Sequence, residues 1–565
     1  MSNNKFEKLS NNINKSSPTT CLTYLEFYSG VGGWTMALEE ACHRINDCCK
    51  EECVHGNSSL DTTNTVVLET SDTSNQEVTE GKDKETMEQQ HHYSLSTPSL
   101  QLKRLAAFDH SDVCNLVFQH NFSNAAEKES QPQSQQGIKR KRTKNPKSKP
   151  TSIEKLTKKQ LETYNATIWT MSPPCQPHTR QHLNQKEDVN DPRSKSFLHL
   201  CEMIMCMDEM KLPSVILMEN VVGFEQSKSS EIWRKALSSR NYEIGHFHLT
   251  PTQVGLPNDR PRYYCVAVGA NNKMLVDSDK TCDSVMEENT CSTLLHLESV
   301  KNVHQNDDDD VMLPPPAVQT CIPPLNVPDS DSVQEHLNLP SISTFLDTDL
   351  GRHGRFLFDE NKQVNQSKLS SLRIPDKILS SDTCWCFDIV TSDDRRSACF
   401  TSSYGKFVKG TGSVLYTGGC GDESKSLGQD EKSKVVKDDD ATSRFKLVPP
   451  EQRRFDSEWT KGLNLEENLR YFSGTEVARL MGFSVDKANS DAVQAESGSS
   501  TGNFPLSTGT CASKITPMNN SGVKTFEFPS SCTLKQQWKL LGNSLNVRVA
   551  ARVAEVGLRS LFKIC

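Results

Sequence analysis

The sequence predicts an α/β fold built on a doubly wound, mainly parallel sheet. Three observations carry this. Strand-like apolar runs alternate with helical runs through the first half of the chain, the β-turn-α order that buries a parallel sheet between helices. The residues richest in chemical potential, Gly30 to Gly33, Asp109, Cys175 and Glu219, each follow such a strand. Open α/β sheets bind ligands there, beyond the C-terminal ends of their strands. Finally, the stretches between the patterned blocks are long, polar and aperiodic, so the folded part is smaller than 565 residues implies.

The elements follow in order. Residues 22–28 (LTYLEFY) read as a buried strand, and Ser29-Gly30-Val31-Gly32-Gly33 as a tight turn. Trp34, Leu38, Ala41 and Ile45 mark one face of the helix after it. A second strand, LAAF, runs up to Asp109, and VCNLVF makes a second helix. A third strand, ATIWTM (166–171), leads into SPPCQPHTR. The helix SFLHLCEMIMCM precedes the strand SVILM and Glu219-Asn220-Val221. The loop QVGLPNDRPR then enters the strand YYCVAVGA (263–270). Five segments, 44–100, 124–150, 271–340, 417–440 and 485–532, show neither helix nor strand period and read as loops or disordered insertions.

Composition sets the outer bounds. Hydrophobic residues make up 35% and mean hydropathy is −0.60. There is no run of 18 apolar residues for a membrane helix. The first residues, MSNNKFEKLSNNINKSS, lack the apolar stretch of a secretory signal. Twenty cysteines without such a signal point to reduced thiols, hence an expected cytoplasmic or nuclear location. The net charge of −8 argues against a polyanionic partner. The insertions carry that acidity, however, and without them the remainder is about +7, as a nucleic-acid-binding enzyme requires.

Each motif has a chemical and a plain reading. Glycines after a strand let a ligand approach the backbone, and the helix N-terminus favours an anionic group. The spacing G-x-G-G lacks the third glycine of the dinucleotide fingerprint, and a simple tight turn is the alternative. A ribose-binding carboxylate is expected about 20 residues beyond such glycines. Asp109 stands at that spacing once the insertion 44–100 is set aside; a helix N-cap is its plain reading. Pro173-Pro174-Cys175-Gln176 presents a cysteine at a strand end, either a nucleophile or an inert thiol. Glu219 closes an apolar strand, where partial desolvation raises a carboxyl pKa and suits a proton donor. Arg260 and Arg262, on alternating residues, point the same way and form a clamp for an anion or carbonyl, or solvated charge. Gly542-Asn543-Ser544 precedes an apolar helical run, LNVRVAARVAEVGLRSLF, and its plain reading is a helix cap. Cys48, Cys49, Cys53 and His55 fit no standard zinc spacing, and Cys384 and Cys386 read as one face of a strand packed in the core. The run KRKRTKNPKSK (139–149) is open between a nuclear address, an RNA contact and a solvated linker.

As an ordered set, YSGVGG, SPPCQP, ENVVGFE, NDRPRYY and LLGNSLNV resemble the cytosine-5 methyltransferases, DNA and RNA members alike. The segments FLDTD (345–349), RRSACFTSSYGKFVKGTGSVL (395–415) and LRYFSGTEVARLMGFS (469–484) resemble the tRNA-aspartate subfamily. The resemblance implies a Rossmann-like S-adenosylmethionine-dependent methyltransferase domain at 21–270, after a tail at 1–20. It implies a smaller target-recognition region at 341–484 and a C-terminal segment, 533–565, that returns to the catalytic domain. S-adenosyl-L-methionine would lie against Tyr28, Ser29, Gly30, Val31, Gly32, Gly33, Asp109 and His110, with Asn543 and Ser544 closing the site. Ile153 and Glu154 would line the adenine pocket. Cys175 would be the nucleophile, Glu219 the acid near the base, and Arg260 and Arg262 the clamps. Cys399, Phe400 and Thr401 would recognise the substrate.

The implied chemistry suits these residue types. Cytosine C5 is too electron-poor to take a methyl group directly. A Cys175 thiolate adding at C6 makes the ring an enamine, and Glu219 near N3 and the 4-amino group stabilises the charge. The cytosine must leave its stack, at low cost in an RNA loop. The implied partner is aspartate tRNA, modified at cytosine 38, with DNA as the alternative and an inactive scaffold as a second; no metal, no membrane and a monomer are expected. Two departures bear on substrate rather than reaction: His178 replaces the subfamily's Phe, and Val222 its common Lys.

Overall fold

The computed structural model describes residues 19–56, 99–123, 152–174, 188–269, 313–322, 325, 327–329, 339–347, 368, 370–418, 450–455, 459–460, 464–485 and 525–561. Six strands form the main sheet: β1 (Thr19–Phe27), β2 (Ser99–Phe108), β3 (Ile168–Met171), β4 (Val215–Val221), β5 (Tyr242–Leu249) and β6 (Arg262–Gly269). Their order is β2-β1-β3-β4-β6-β5. Strands β1 to β4 pair in parallel, and β6 lies antiparallel between β4 and β5. The sheet is therefore mixed and mainly parallel, in an α/β fold.

The central strands explain the layering. All of Ile168–Met171 in β3 and the run VILM in β4 are buried, as strands covered on both faces must be. Alternate residues of β4 divide between two apolar layers: Val215 and Leu217 face one, Ile216 and Met218 the other. The first layer is covered by α1 (Gly33–Gly56), α2 (Asp112–Phe122) and the last helix. Trp34, Leu38, Ala41 and Ile45 are all buried there, the helix face read from the sequence. The second layer lies under α4 (Lys195–Cys206) and α5 (Lys228–Ser238), with the short helix α3 (Lys158–Tyr164) at its margin.

A second sheet of three short strands, β7 (Asp388–Val390), β8 (Ser413–Tyr416) and β9 (Leu469–Arg470), belongs to the later part of the chain. Helices α6 (Gly474–Leu480), α7 (Leu534–Gly542) and α8 (Val547–Arg559) follow. Helix α8 returns to the main sheet. Its Gly557 lies so close that an added Cβ would stand 2.9 Å from Leu217 and Val215 side-chain carbons.

Three insertion boundaries and one strand differ from expectation. Helix α1 continues to Gly56, and β2 begins at Ser99, because β2 pairs with the whole length of β1, from Thr19↔Ser99 to Phe27↔Phe108. Within 271–340, Gln319 pairs with the exposed edge of β5. The His248 N–H donates to its carbonyl at 2.8 Å, and its own N–H donates to the His246 carbonyl at 2.9 Å. An unpaired sheet edge attracts any nearby strand-competent backbone. Within 485–532, Phe526 is buried against Phe483 and Phe528, apolar contacts that the surrounding Ser/Thr/Gly/Asn-rich composition conceals. Cys384–Cys386 is a single helical turn rather than a strand; Cys384 is buried and Cys386 half-buried.

Candidate active site

The first component is the turn after β1. Gly30 and Gly32 have φ of 52° and 90°, and Tyr28 stands at 55°. These left-handed values reverse the chain within a few residues. A Cβ on Gly32 would fall 2.1 Å from the Phe122 ring, so the turn packs directly on α2. A Cβ on Gly30 would meet only the Tyr28 carbonyl, at 3.9 Å, which leaves an open cradle at that residue. The Gly30 N–H donates to Asp109 Oδ2 at 2.9 Å, and the Ser111 N–H to Oδ1 at 2.8 Å. Asp109 thus ties the ends of β1 and β2 together. The helix N-cap is Ser111, whose hydroxyl accepts from Cys114 N–H. The His110 side chain is largely exposed, 3.8 Å from the Asp109 carboxylate. Val31 points into the core and Ser29 is buried, so both offer the cradle backbone alone. Tyr28 donates its hydroxyl to Ser196 at 3.0 Å. Ile153 is buried and Glu154 exposed on the next segment.

The last helices reach this turn. A Cβ on Gly33 would lie 2.9 Å from Leu545 and 3.2 Å from Ser544 Oγ. Asn543 is exposed and closes α7. The N-cap of α8 is neither Asn543 nor Ser544 but Asn546, whose side chain accepts from Val549 N–H.

The second component gathers on Glu219, near the end of β4. The neighbouring β3 runs in register beside it, Met171 against Met218, and delivers Ser172-Pro173-Pro174 to the same edge. Cys175, Gln176 and His178 follow and lie outside the described residues, as does the basic run 139–149. Ser172 joins the parts: it accepts from Trp34 Nε1 at 3.0 Å and hydrogen-bonds the Glu219 carboxyl. Glu219 Oε1 stands 3.5 Å from Arg262 Nε. Burial pushes the Glu219 pKa up, and Arg262, Arg260 and Ser172 only partly pull it back.

Arg260 has a different position from the open clamp expected of it. Its guanidinium is buried and donates to four acceptors. Nη1 reaches the Phe400 carbonyl at 2.7 Å and Cys399 Sγ at 3.2 Å, while Nη2 reaches the carbonyls of Ser544 at 2.7 Å and Gly542 at 3.1 Å. One side chain therefore pins the 399–400 segment and the α7–α8 junction to the catalytic sheet. Gly542 allows this approach, since a Cβ there would fall 2.1 Å from the Thr401 carbonyl carbon. Arg262 is the more available of the two, facing Glu219 and reaching Cys399 Sγ at 3.7 Å. Burial alone would raise the Cys399 thiol pKa, but Arg260 and Arg262 outweigh it and leave the thiol below its usual range.

Of the expected recognition residues, Cys399 faces this cluster and Thr401 is half-buried, its N–H bonded to the Thr411 carbonyl at 2.9 Å. Phe400 is 1% exposed, packed edge-to-face on Tyr404 and Phe472, so it shapes the loop and offers a substrate no surface. Ser172 and Gly542 are what sequence reading undervalued. Ser172 sits inside the SPPC motif, and only the folded chain shows its two partners. Among the described residues, no group of His, Cys, Asp and Glu could hold a metal ion.

A mixed, mainly parallel sheet with an open glycine turn at one strand end and a desolvated glutamate at another has the form of an α/β enzyme whose site lies at the strand ends. The sequence pattern of the C-5 cytosine-specific DNA methylases matches residues 115–501, and the chain belongs to that family. It is 28% identical to the human tRNA (cytosine(38)-C(5))-methyltransferase, across 82% of this chain and 95% of that protein. It is 27% identical to a Dictyostelium discoideum DNA (cytosine-5)-methyltransferase, across 82% and 90%. The crystal structure of an S. pombe Dnmt2 methyltransferase is 21% identical with a TM-score of 0.48, covering 96% of this chain and 99% of that one.

Proposed function

We propose that this cytosine-5 methyltransferase acts on cytosine 38 in the anticodon loop of aspartate tRNA, through a covalent adduct of Cys175. The observation that carries the chemistry is the buried Glu219, bonded to Ser172 and facing Arg262, at the strand edge where the chain runs into Cys175. The Cys399-Phe400-Thr401 segment against the same arginines, with tRNA methyltransferases among the relatives, supports RNA over DNA.

The residues present fit S-adenosyl-L-methionine. The cradle at Gly30 is open, the half-buried Asp109 carboxylate stands at its rim, and both its oxygens keep lone pairs beyond the two backbone N–H groups they accept. When bound, that group supplies the methyl. The Cys175 thiolate adds to C6 of the flipped cytosine, and Glu219, its pKa raised by burial, donates at N3 as charge accumulates on the ring. Once C5 carries the methyl, a base removes the C5 proton, the C6–S bond breaks to release the thiolate, and N3 returns its proton. Arg262 faces the same carboxyl and offers its donors to the base carbonyl.

The test is methyl transfer from labelled S-adenosylmethionine to total tRNA and to duplex DNA, followed by cytosine-resolution mapping. Label is expected at one anticodon-loop cytosine, and none with Cys175→Ala. Label in DNA alone overturns the tRNA reading; activity surviving Cys175→Ala overturns the nucleophile.

A further inference from the structure

The segment after Cys399-Phe400-Thr401 is a rigid finger with an unusual tip. Its base is fixed on three sides. Tyr404 is buried, donates its hydroxyl to the Ser413 carbonyl at 2.6 Å and accepts from Phe472 N–H at 3.0 Å. Gly405 lies against Trp538, where a Cβ would fall 2.4 Å from the indole. Thr411 closes the loop by donating its hydroxyl to the Phe407 carbonyl at 2.7 Å. The tip faces solvent. Phe407 is 57% exposed, one of few large apolar side chains so placed among the described residues. Lys406 lies over its ring, with Nζ 5.0 Å from the centroid. Lys409 is exposed two residues on, and neither lysine has a carboxylate partner among the described residues. From 395 to 410 the chain carries four cationic residues and no acidic one.

We propose that Phe407 is a stacking platform for an unpaired RNA base beside the target cytosine, with Lys406 and Lys409 on the flanking phosphates. The site deepens the RNA reading given above and rests on it. An exposed ring flanked by cations is how single-stranded nucleic acid is held, because every base has a π face and every nucleotide a negative charge. The geometry ties the platform to the chemistry: the finger springs from Thr401, next to the carbonyl that Arg260 holds. The target base must leave its stack to react, and its neighbour then loses a stacking partner. Phe407 replaces that partner. Rigidity matters here, since a floppy loop would lose in ordering what stacking returns.

The test uses the full-length enzyme with an aspartate tRNA transcript and with duplex DNA. Phe407→Ala should lower kcat/KM on the tRNA by at least about tenfold, the order expected for one lost base–aromatic stack. Phe407→Trp should restore it and Phe407→Leu should not. Affinity for S-adenosylmethionine and Tm should stay at wild-type values. A 2-aminopurine placed beside the target cytosine should be quenched by wild type and by the Trp variant only. Joint replacement of Lys406 and Lys409 by Ala should reduce the salt dependence of RNA binding by roughly 0.7 log unit per log unit of salt for each lysine. Undiminished activity of Phe407→Ala, or rescue by Leu as full as by Trp, overturns the platform. An unchanged salt slope overturns the phosphate contacts. Wild-type enzyme that labels only DNA overturns the RNA reading itself, and does so before any variant is made.

Discussion

Two buried carboxylates, one in each half of the molecule, are held in opposite ways. Glu219 in the main sheet has one hydroxyl partner, Ser172, and an arginine 3.5 Å away. Burial dominates and its pKa rises. Asp347 beside the small sheet accepts from the hydroxyls of Ser473 at 2.6 Å and Thr475 at 2.8 Å, and pairs with Arg479 at 2.7 Å and Lys368 at 3.2 Å. Burial raises its pKa too, but Lys368, Ser473 and Arg479 outweigh it and bring the value to about 2. The number of donors decides the outcome. A carboxylate surrounded by donors is fixed in charge and serves structure. One left short of donors has its pKa raised, which favours the protonated form and suits a proton donor.

The sharpest way to break this contrast is Glu219→Gln. The amide keeps the shape but cannot transfer a proton, so kcat should fall by about 10²–10⁴-fold. The wild-type rate depends on the neutral carboxyl, so it should decline as pH rises through the raised pKa. The variant should lose that decline in a kcat–pH profile.

Glu26 sharpens the comparison, because it is also buried in the main sheet. The Thr35 hydroxyl donates to one oxygen at 2.5 Å, and the other has no partner. Burial raises its pKa to about 7, against the weaker pull of Thr35 and Arg104. An acid with a raised folded pKa stabilises fully below its unfolded value near 4.5 and loses that contribution as pH rises through about 7. Glu26→Gln should therefore gain up to about 3 kcal/mol over wild type above pH 7 and little at pH 4, read by denaturant unfolding at both pH values.

Asp347→Asn should show the opposite sign and the smallest effect. A depressed pKa contributes stability above the unfolded value of 3.8, lost as pH falls through about 2. The variant should cost about 2 kcal/mol at pH 7, and the deficit should shrink to a small remainder near pH 2. An equal deficit at both pH values would mean that Asp347 acts through packing alone.

Much of the main sheet was legible from the sequence. The run VILM is apolar without a break and IWTM is broken only by Thr170, because both faces are covered, and the glycines of Ser29–Gly33 mark the turn after the first strand. The β5 edge and its partner Gln319 were not legible, since pairing across some seventy residues leaves no local period. The same holds for Arg260. Sequence marks it as a cation beside a strand, but its four acceptors come from residues 399, 400, 542 and 544. Phe400 and Phe407 make the point within one loop, as both are aromatic and near the motif. Only packing on Tyr404 and Phe472 decides that the first is core and the second surface.

The sequence by itself determined the α/β class, the order of the strands along the chain and the residue types available for cytosine chemistry. Those properties follow from local periodicity and from motifs, which are written in neighbouring residues. The tertiary structure decided which carboxyl is starved of donors, which arginine is enclosed and which aromatic ring meets solvent. Those are properties of desolvation and of contacts between distant segments, and they exist only once the chain has closed on itself.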